Sequence, residues 1–299
     1  MVSVLPHISP AARPPLARRS PDPTLHGPDL LVRFLPLNAT LPNLVIRRVR
    51  DRFRPQRRSA EVASAGVAPG PIEAAGDVEI VTRCAPFTMT SPERIHAVLV
   101  AVAYCTRRGV PGDFAECGVW RGGSVLAMIL KLQELDVDDR TIHLYDTFEG
   151  MTEPSERDTS AYDPPALETW IEQRASGEIA WDDYFRPDVF NEDDVRSVLL
   201  STGYAADRLR FVKGPVEATL PAEAPDQLAL LRLDTDWYES TMHELQHLYP
   251  RLAVGGVLII DDYGHWDGCR QAVDEYFSRT AAPLLLNRID YTGRIAVKV

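Results

Sequence analysis

Two aspartate clusters, Asp234-Thr235-Asp236 and Asp261-Asp262, carry the chemistry of this chain. Each stands at the C-terminal end of an apolar run, Leu228 to Leu233 and Gly256 to Ile260. Such runs read as buried parallel strands. In an open α/β sheet, ligands bind outside the carboxyl ends of the strands. Carboxylates that converge there repel one another unless a cation sits among them or their pKa values rise. A donor set made only of oxygen favours a hard divalent ion, magnesium first.

A second constellation lies earlier. The segment Asp113-Phe-Ala-Glu-Cys-Gly-Val-Trp-Arg-Gly-Gly-Ser124 reads as a strand, a glycine-rich turn and the start of a helix. Gly118 lets the backbone leave the strand sharply, and Gly122 and Gly123 let a ligand approach the main chain. Ser124 is placed to cap the helix, whose N-terminus favours a carboxylate. The next strand, Ile142-His-Leu-Tyr-Asp146, ends in an acid. An acid at the tip of the second strand is the usual partner of ribose hydroxyls in these folds, and Phe148 is placed to stack on adenine. Trp120 occupies the second glycine position of G-x-G-x-x-G, which argues against NAD and FAD, and no P-loop is present.

His243-Glu-Leu-Gln-His247 spells the H-E-x-x-H signature of zinc proteases. The extended metzincin form fails, because Pro250 and Ala253 stand where a glycine and a third histidine are needed. The segment reads instead as a surface helix. His265, just after Asp261-Asp262, is within reach of an acceptor or of groups around a metal, and His143 reads as structural.

The elements that must position these residues alternate between strand and helix. Strands are predicted at 113–119, 141–147, 209–214, 228–235, 256–262, 284–289 and 294–299, with helices at about 123–135, 191–203, 238–251 and 266–279. That alternation gives an α/β fold, a mostly parallel seven-stranded sheet with helices on both faces. The last two strands, joined only by Asp290 to Gly293, form an antiparallel hairpin. Thr90 and Glu93 have capping-box spacing ahead of a helix through Ile95 to Ala103, and order is expected from about residue 85. Residues 150–190 hold Tyr162, Trp170, Trp181, Tyr184 and Phe185 without clear periodicity, and read as a mobile lid over the site.

Residues 1–80 form a basic extension rich in proline and arginine, with short elements expected at Leu30–Leu35 and Leu41–Phe53 and a linker at Pro69–Gly76. The first sixty residues carry about +8 of a total of −11, so the remainder carries about −19. A body this acidic is a poor nucleic-acid binder. No apolar stretch is long enough to span a bilayer, and no secretory leader is evident. Four cysteines without paired spacing fit a reduced, cytoplasmic protein.

Five segments together resemble the class I S-adenosylmethionine-dependent methyltransferases, whose fold is Rossmann-like, and within them the macrocin O-methyltransferase family. They are Thr88–Ser91, Gly112–Ser124, Tyr145–Met151, Leu233–Asp236 and Ile260–Tyr263. The resemblance covers residues 85–299. It implies that Glu116, Gly118 and Ser124 hold the methionine part of S-adenosylmethionine, and that Asp146 binds its ribose with Phe148 close to the adenine. It further implies that Asp234, Asp261 and Asp262 bind Mg2+ and that Asp236 is the general base, with His265 a second candidate for catalysis. The acceptor is then a deoxysugar hydroxyl on a glycosylated small molecule, and the assembly a homo-oligomer, dimer or tetramer.

The chemistry agrees with that role. A sulfonium is an excellent leaving group, so the enzyme must mainly position and deprotonate the acceptor. A sugar hydroxyl is a poor nucleophile, and a divalent cation beside a carboxylate remedies that. Asp234 and Asp236, two apart in an extended strand, would face the same side. A competing explanation makes Asp236 and Asp262 the caps of the helices that follow them. Two other readings keep the fold: a phenol or catechol acceptor, or a non-catalytic cofactor-binding protein.

Overall fold

The apolar runs form a single sheet, in the order Leu209–Lys213, Ile142–Asp146, Asp113–Cys117, Leu228–Leu233, Leu252–Ile260, Arg294–Val297 and Asn287–Arg288. The computed structural model describes residues 75–280 and 284–299. The strands are β1 (Asp113–Cys117), β2 (Ile142–Asp146), β3 (Leu209–Lys213), β4 (Leu228–Leu233), β5 (Leu252–Ile260), β6 (Asn287–Arg288) and β7 (Arg294–Val297). The first five are parallel, while β7 runs antiparallel to β5 and pairs with β6. The chain winds outward from β1 to β3, then crosses back to lay β4 against the other side of β1. That reversal opens a crevice between the carboxyl ends of β1 and β4, where ligands bind in such sheets.

Helices cover both faces because the strands are apolar on both. On one face lie α1 (Ala75–Cys84), α2 (Pro92–Arg107), α3 (Gly123–Glu134) and α6 (Glu192–Leu200), packed on Phe114, Ile142, Leu144, Leu230 and Ile259. On the other lie α7 (Val216–Thr219), α8 (Tyr238–His247) and α9 (Asp267–Arg279), packed on Ala115, Tyr145, Leu231, Leu233 and Leu258. Leu228, Leu230 and Leu231 are fully buried. Each contributes roughly 1.5–3 kcal/mol by burial.

Several boundaries differ from expectation. Helical structure is present ahead of residue 85: α1 covers Ala75–Cys84 and buries Ile80 and Cys84. The rest of the basic extension, including Leu30–Leu35, Leu41–Phe53 and most of the linker, lies outside the described residues. The cap of α2 is Ser91, whose hydroxyl accepts from the Arg94 amide at 3.2 Å, rather than Thr90. Pro92 at the first helical position fixes that register. Ser124 does not cap α3 either, because Gly122, at φ +85°, takes the cap position. The edge strand β6 is only two residues long, shorter than predicted.

The insertion at 150–190 has structure of its own, with α4 (Ala166–Ala175) and α5 (Asp182–Phe185). Trp181 packs on Trp237 with ring centroids 5.7 Å apart, and Trp120 donates to the Tyr184 carbonyl at 3.1 Å.

Candidate active site

Gly118 brings the two edges of the crevice together. A Cβ at this position would lie 1.9 Å from the Asp234 carbonyl oxygen, and φ is +80°. Only glycine permits so close an approach. Glu116 and Arg232 are register partners on β1 and β4, and both are 1% exposed. Arg232 donates to Glu116 Oε1 at 2.6 Å, to Asp234 Oδ2 at 2.7 Å and to Asp261 Oδ1 at 2.6 Å. One buried guanidinium thus ties together the tips of β1, β4 and β5. Sequence reasoning passed over it, although an arginine inside an apolar strand next to Asp234 is a visible signal.

Arg94 is the second residue missed. Its guanidinium pairs with Asp261 and lies 3.1 Å from Asp290. Thr90, excluded as a cap, instead turns its hydroxyl to Asp261 Oδ2 at 3.1 Å. These contacts converge because α2 begins beside the end of β5.

Asp234, Asp261 and Asp262 each place a carboxylate oxygen within 4.8 Å of the others, and no other such group of three occurs among the described residues. Asp236 lies just beyond β4 at φ +67°, so the extended geometry expected for Asp234 and Asp236 does not hold. The turn aims the Asp236 carboxylate toward α9, where Oδ1 accepts the Trp266 indole N–H at 2.8 Å. Neither Asp236 nor Asp262 caps a helix: the cap positions of α8 and α9 are Trp237 and Trp266, which make no side-chain cap bond.

The electrostatics follow from burial. Burial, reinforced by the charge on Asp234, pushes Asp236 up to about 8. Asp262 is raised well above the carboxylate range by burial and by Asp236 and Asp261. Burial likewise raises Asp234, with Arg232 opposing. Asp261 runs the other way: burial would raise it, but Arg232 and Arg94 outweigh that and hold it low. Five carboxylates, those of Glu116, Asp234, Asp236, Asp261 and Asp262, therefore face two guanidiniums. The surplus of negative charge and the all-oxygen donor set fit a divalent cation.

On the β1 side, Glu116 is raised to about 7 by burial, against the opposing charge of Arg232. Its Oε2 is buried without a hydrogen-bond partner among the described residues. Such an atom fits an incoming cationic donor such as an amino group. Asp146 accepts from the Val119 and Trp120 amides through Oδ2, at 2.7 and 3.0 Å, and from the Phe148 amide through Oδ1 at 2.7 Å. Oδ1 keeps capacity for one more donor. Phe148 is 4% exposed, and its ring packs against Phe190 and Phe211 at 6.1 and 6.0 Å. Ser124 is buried at the second position of α3.

His265 is engaged on both ring nitrogens. Nε2 lies 2.7 Å from Asp163 Oδ2 of the insertion, and Nδ1 lies 3.0 Å from the Tyr291 hydroxyl. His143 pairs with Asp113 at 2.9 Å, a structural contact. In the H-E-x-x-H segment, Glu244 is fully buried and accepts from the Thr235 hydroxyl at 3.0 Å, while His243 contacts the Leu220 carbonyl. The glutamate thus faces the core.

Residues 79–297 match the family described as Macrocin-O-methyltransferase (TylF). The chain belongs to the macrocin O-methyltransferase family. It is 35% identical over 206 residues to the demethyldecarbamoylnovobiocin O-methyltransferase of Streptomyces niveus, covering 69% of this chain and 73% of that one. Over 214 residues it is 34% identical to the mycinamicin III 3''-O-methyltransferase of Micromonospora griseorubida, covering 69% and 76%. The solved structure of the O-methyltransferase NovP superposes with a TM-score of 0.59 at 33% identity, covering 71% of this chain and 82% of that one. The fold is that of class I S-adenosylmethionine-dependent methyltransferases, and the chain is an O-methyltransferase. Membership sets aside both the protease and the non-catalytic readings. No helix among the described residues is long and apolar enough to cross a membrane.

Proposed function

We propose that this macrocin-family enzyme is a magnesium-dependent O-methyltransferase acting on a deoxysugar hydroxyl of a glycosylated natural product. The observation that carries the reading is the convergence of Asp234, Asp261 and Asp262 within 4.8 Å, with Asp236 beside them. The relatives act, by name, on demethyldecarbamoylnovobiocin, a rhamnosyl tetracenomycin C and mycinamicin III. Two of those names specify a sugar position, which favours a sugar over a phenol.

Glu116 and Gly118 receive the amino-acid end of S-adenosylmethionine, with Ser124 near by, and Asp146 receives its ribose. Phe148 backs the adenine slot through its packing with Phe190 and Phe211. Asp234, Asp261 and Asp262 hold Mg2+, which when bound lowers the pKa of an acceptor hydroxyl. Asp236 takes the proton. Its Oδ1 is fixed by the Trp266 indole, which leaves Oδ2 to face the acceptor. Tight positioning is what the transfer chiefly needs, since the sulfonium leaves readily. The insertion, joined to His265 through Asp163, closes the acceptor side and excludes water.

All four cysteines are free and buried, in keeping with a cytoplasmic enzyme. A homo-oligomer is the expected assembly, by analogy with the family alone. Turnover of a panel of glycosides and matching aglycones, with EDTA and then with added magnesium, tests the proposal. Magnesium-restored methylation of glycosides alone is expected. Full activity in excess chelator removes the metal, and methylation of aglycones alone removes the sugar.

A further inference from the structure

The helices behind the acidic loops lack caps of their own. Trp237 and Trp266, at their cap positions, make no side-chain cap bond. The first amides of α8 and α9 are nevertheless satisfied, by two consecutive residues of the insertion. Asp158 is 1% exposed, and its Oδ1 accepts from the Tyr238 amide, the first of α8, at 2.7 Å. The Thr159 carbonyl accepts from the Asp267 amide, the first of α9, at 2.8 Å. The Thr159 hydroxyl adds a bond to Asp267 Oδ2 at 3.0 Å. Asp158 is itself held rigidly, with Oδ2 accepting from the Ser155 amide and hydroxyl at 2.6 and 2.8 Å. Its neighbour Arg157 stacks over the Tyr238 ring at 4.0 Å.

Asp158 also fills the gap between the two helices. A Cβ added at Gly268 would lie 1.9 Å from its Oδ1 and 3.2 Å from the Tyr238 amide nitrogen. The side chain is thus wedged between the start of α8, two residues after Asp236, and the start of α9, five residues after Asp262. The bond between Asp236 and Trp266 spans the same gap on the site side. Any change in the spacing of the helices must change that bond and the approach of Asp236 to Asp262.

We propose that Asp158 is a positioning residue for methyl transfer: with Thr159 it caps both helices from outside, releases Asp236 and Asp262 from capping, and sets the separation of the two acidic loops. This deepens the reading of those loops as base and metal site and rests on it. It also gives the insertion a second role, because the segment that covers the acceptor is the segment that aligns the carboxylates.

The test uses the full chain with three variants, Asp158→Ala, Asp158→Asn and Gly268→Ala. The probes are Mn2+ binding followed by electron paramagnetic resonance, S-adenosylhomocysteine binding by calorimetry, and the 15N indole resonance of Trp266. The expectation for Asp158→Ala is about tenfold weaker Mn2+ binding, the usual effect of losing a group that orients metal ligands. Its Trp266 indole signal should move, and its S-adenosylhomocysteine affinity should not. Asp158→Asn keeps an acceptor for the Tyr238 amide and should recover most of the wild-type behaviour. Gly268→Ala must expel Asp158 and should resemble Asp158→Ala, which covers the case in which that variant fails to fold. Wild-type Mn2+ affinity and an unmoved indole signal in both disruptive variants overturn the proposal. If the wild type binds S-adenosylhomocysteine but no Mn2+, the metal reading fails, and the Trp266 signal alone decides the wedge.

Discussion

Glu116 and Arg232 face each other across the switch point of the sheet, joined by a 2.6 Å hydrogen bond between adjacent strands. The cofactor side and the acidic side of the crevice therefore share one guanidinium. Arg232→Met leaves Glu116, Asp234 and Asp261 without their common counter-charge in a buried setting. Removing one partner of such a network costs about 3–5 kcal/mol. Denaturant unfolding of the variant should show a loss of that size. A loss below about 1 kcal/mol, typical of exposed pairs, would contradict the central place given to Arg232.

Gly118→Ala tests the close approach of β1 to the turn after β4. The new methyl group would meet the Asp234 carbonyl at 1.9 Å in a left-handed backbone. The conformation alone costs about 1–2 kcal/mol, and the clash adds to it. The variant should lose at least that much stability and bind S-adenosylhomocysteine far more weakly. Wild-type affinity in a stable variant would mean that the crevice does not depend on this contact.

Charge at the acidic loops gives a pH dependence with a definite sign. Asp236 is pushed up to about 8 from an ordinary 3.8, and Asp262 and Asp234 are raised as well. Between those values the folded state holds protons that the unfolded state has released, so stability falls as pH rises. Asp261 has the opposite sign: its depressed pKa stabilises the fold above the ordinary value and loses that effect in acid. In EDTA, the melting temperature should therefore decline from pH 5 to pH 8. Magnesium binds the deprotonated carboxylates, so the stabilisation that it adds should grow across the same range. A flat profile in EDTA with no magnesium shift would remove both the surplus charge and the metal.

Much of this was legible in the sequence. Apolar runs separated by helical stretches marked the strands, because buried parallel strands need both faces apolar. The acids at their ends marked a candidate site, and three of them, Asp234, Asp261 and Asp262, do converge. Contacts distant along the chain were not legible. Arg94 reaches Asp261 across 167 residues, and Asp158 reaches Tyr238 across 80. No local pattern encodes such distances. The α2 cap was misread by one residue because Thr90 and Ser91 are both good caps, and only Pro92 separates them. The helical insertion was hidden because α4 lies on the surface and buries only Ala166.

The H-E-x-x-H segment supplies a negative test. His247 is only modestly buried and His243 contacts a backbone carbonyl, while Glu244 points to the core. Replacing His247 with alanine should change stability by no more than about 0.5 kcal/mol and leave methyl transfer intact. Zinc analysis of the purified protein should find no bound metal that the substitution removes. Stoichiometric zinc lost on replacing His247 would restore a metal role for this helix.

Asp236→Asn separates proton transfer from binding. Asparagine keeps an oxygen for the Trp266 indole, so the loop geometry survives. It cannot accept the acceptor's proton, and loss of a general base lowers kcat by about 10²–10⁴. Cofactor affinity should not change, because the groups assigned to the cofactor lie at the tips of β1 and β2. The contrast with Asp234→Asn is the informative part. That variant loses a metal donor and the partner of Arg232, so it should weaken magnesium binding as well as turnover. If Asp236→Asn turns over at the wild-type rate while Asp234→Asn does not, the base must be sought elsewhere, and His265, held between Asp163 and Tyr291, is the next residue to replace.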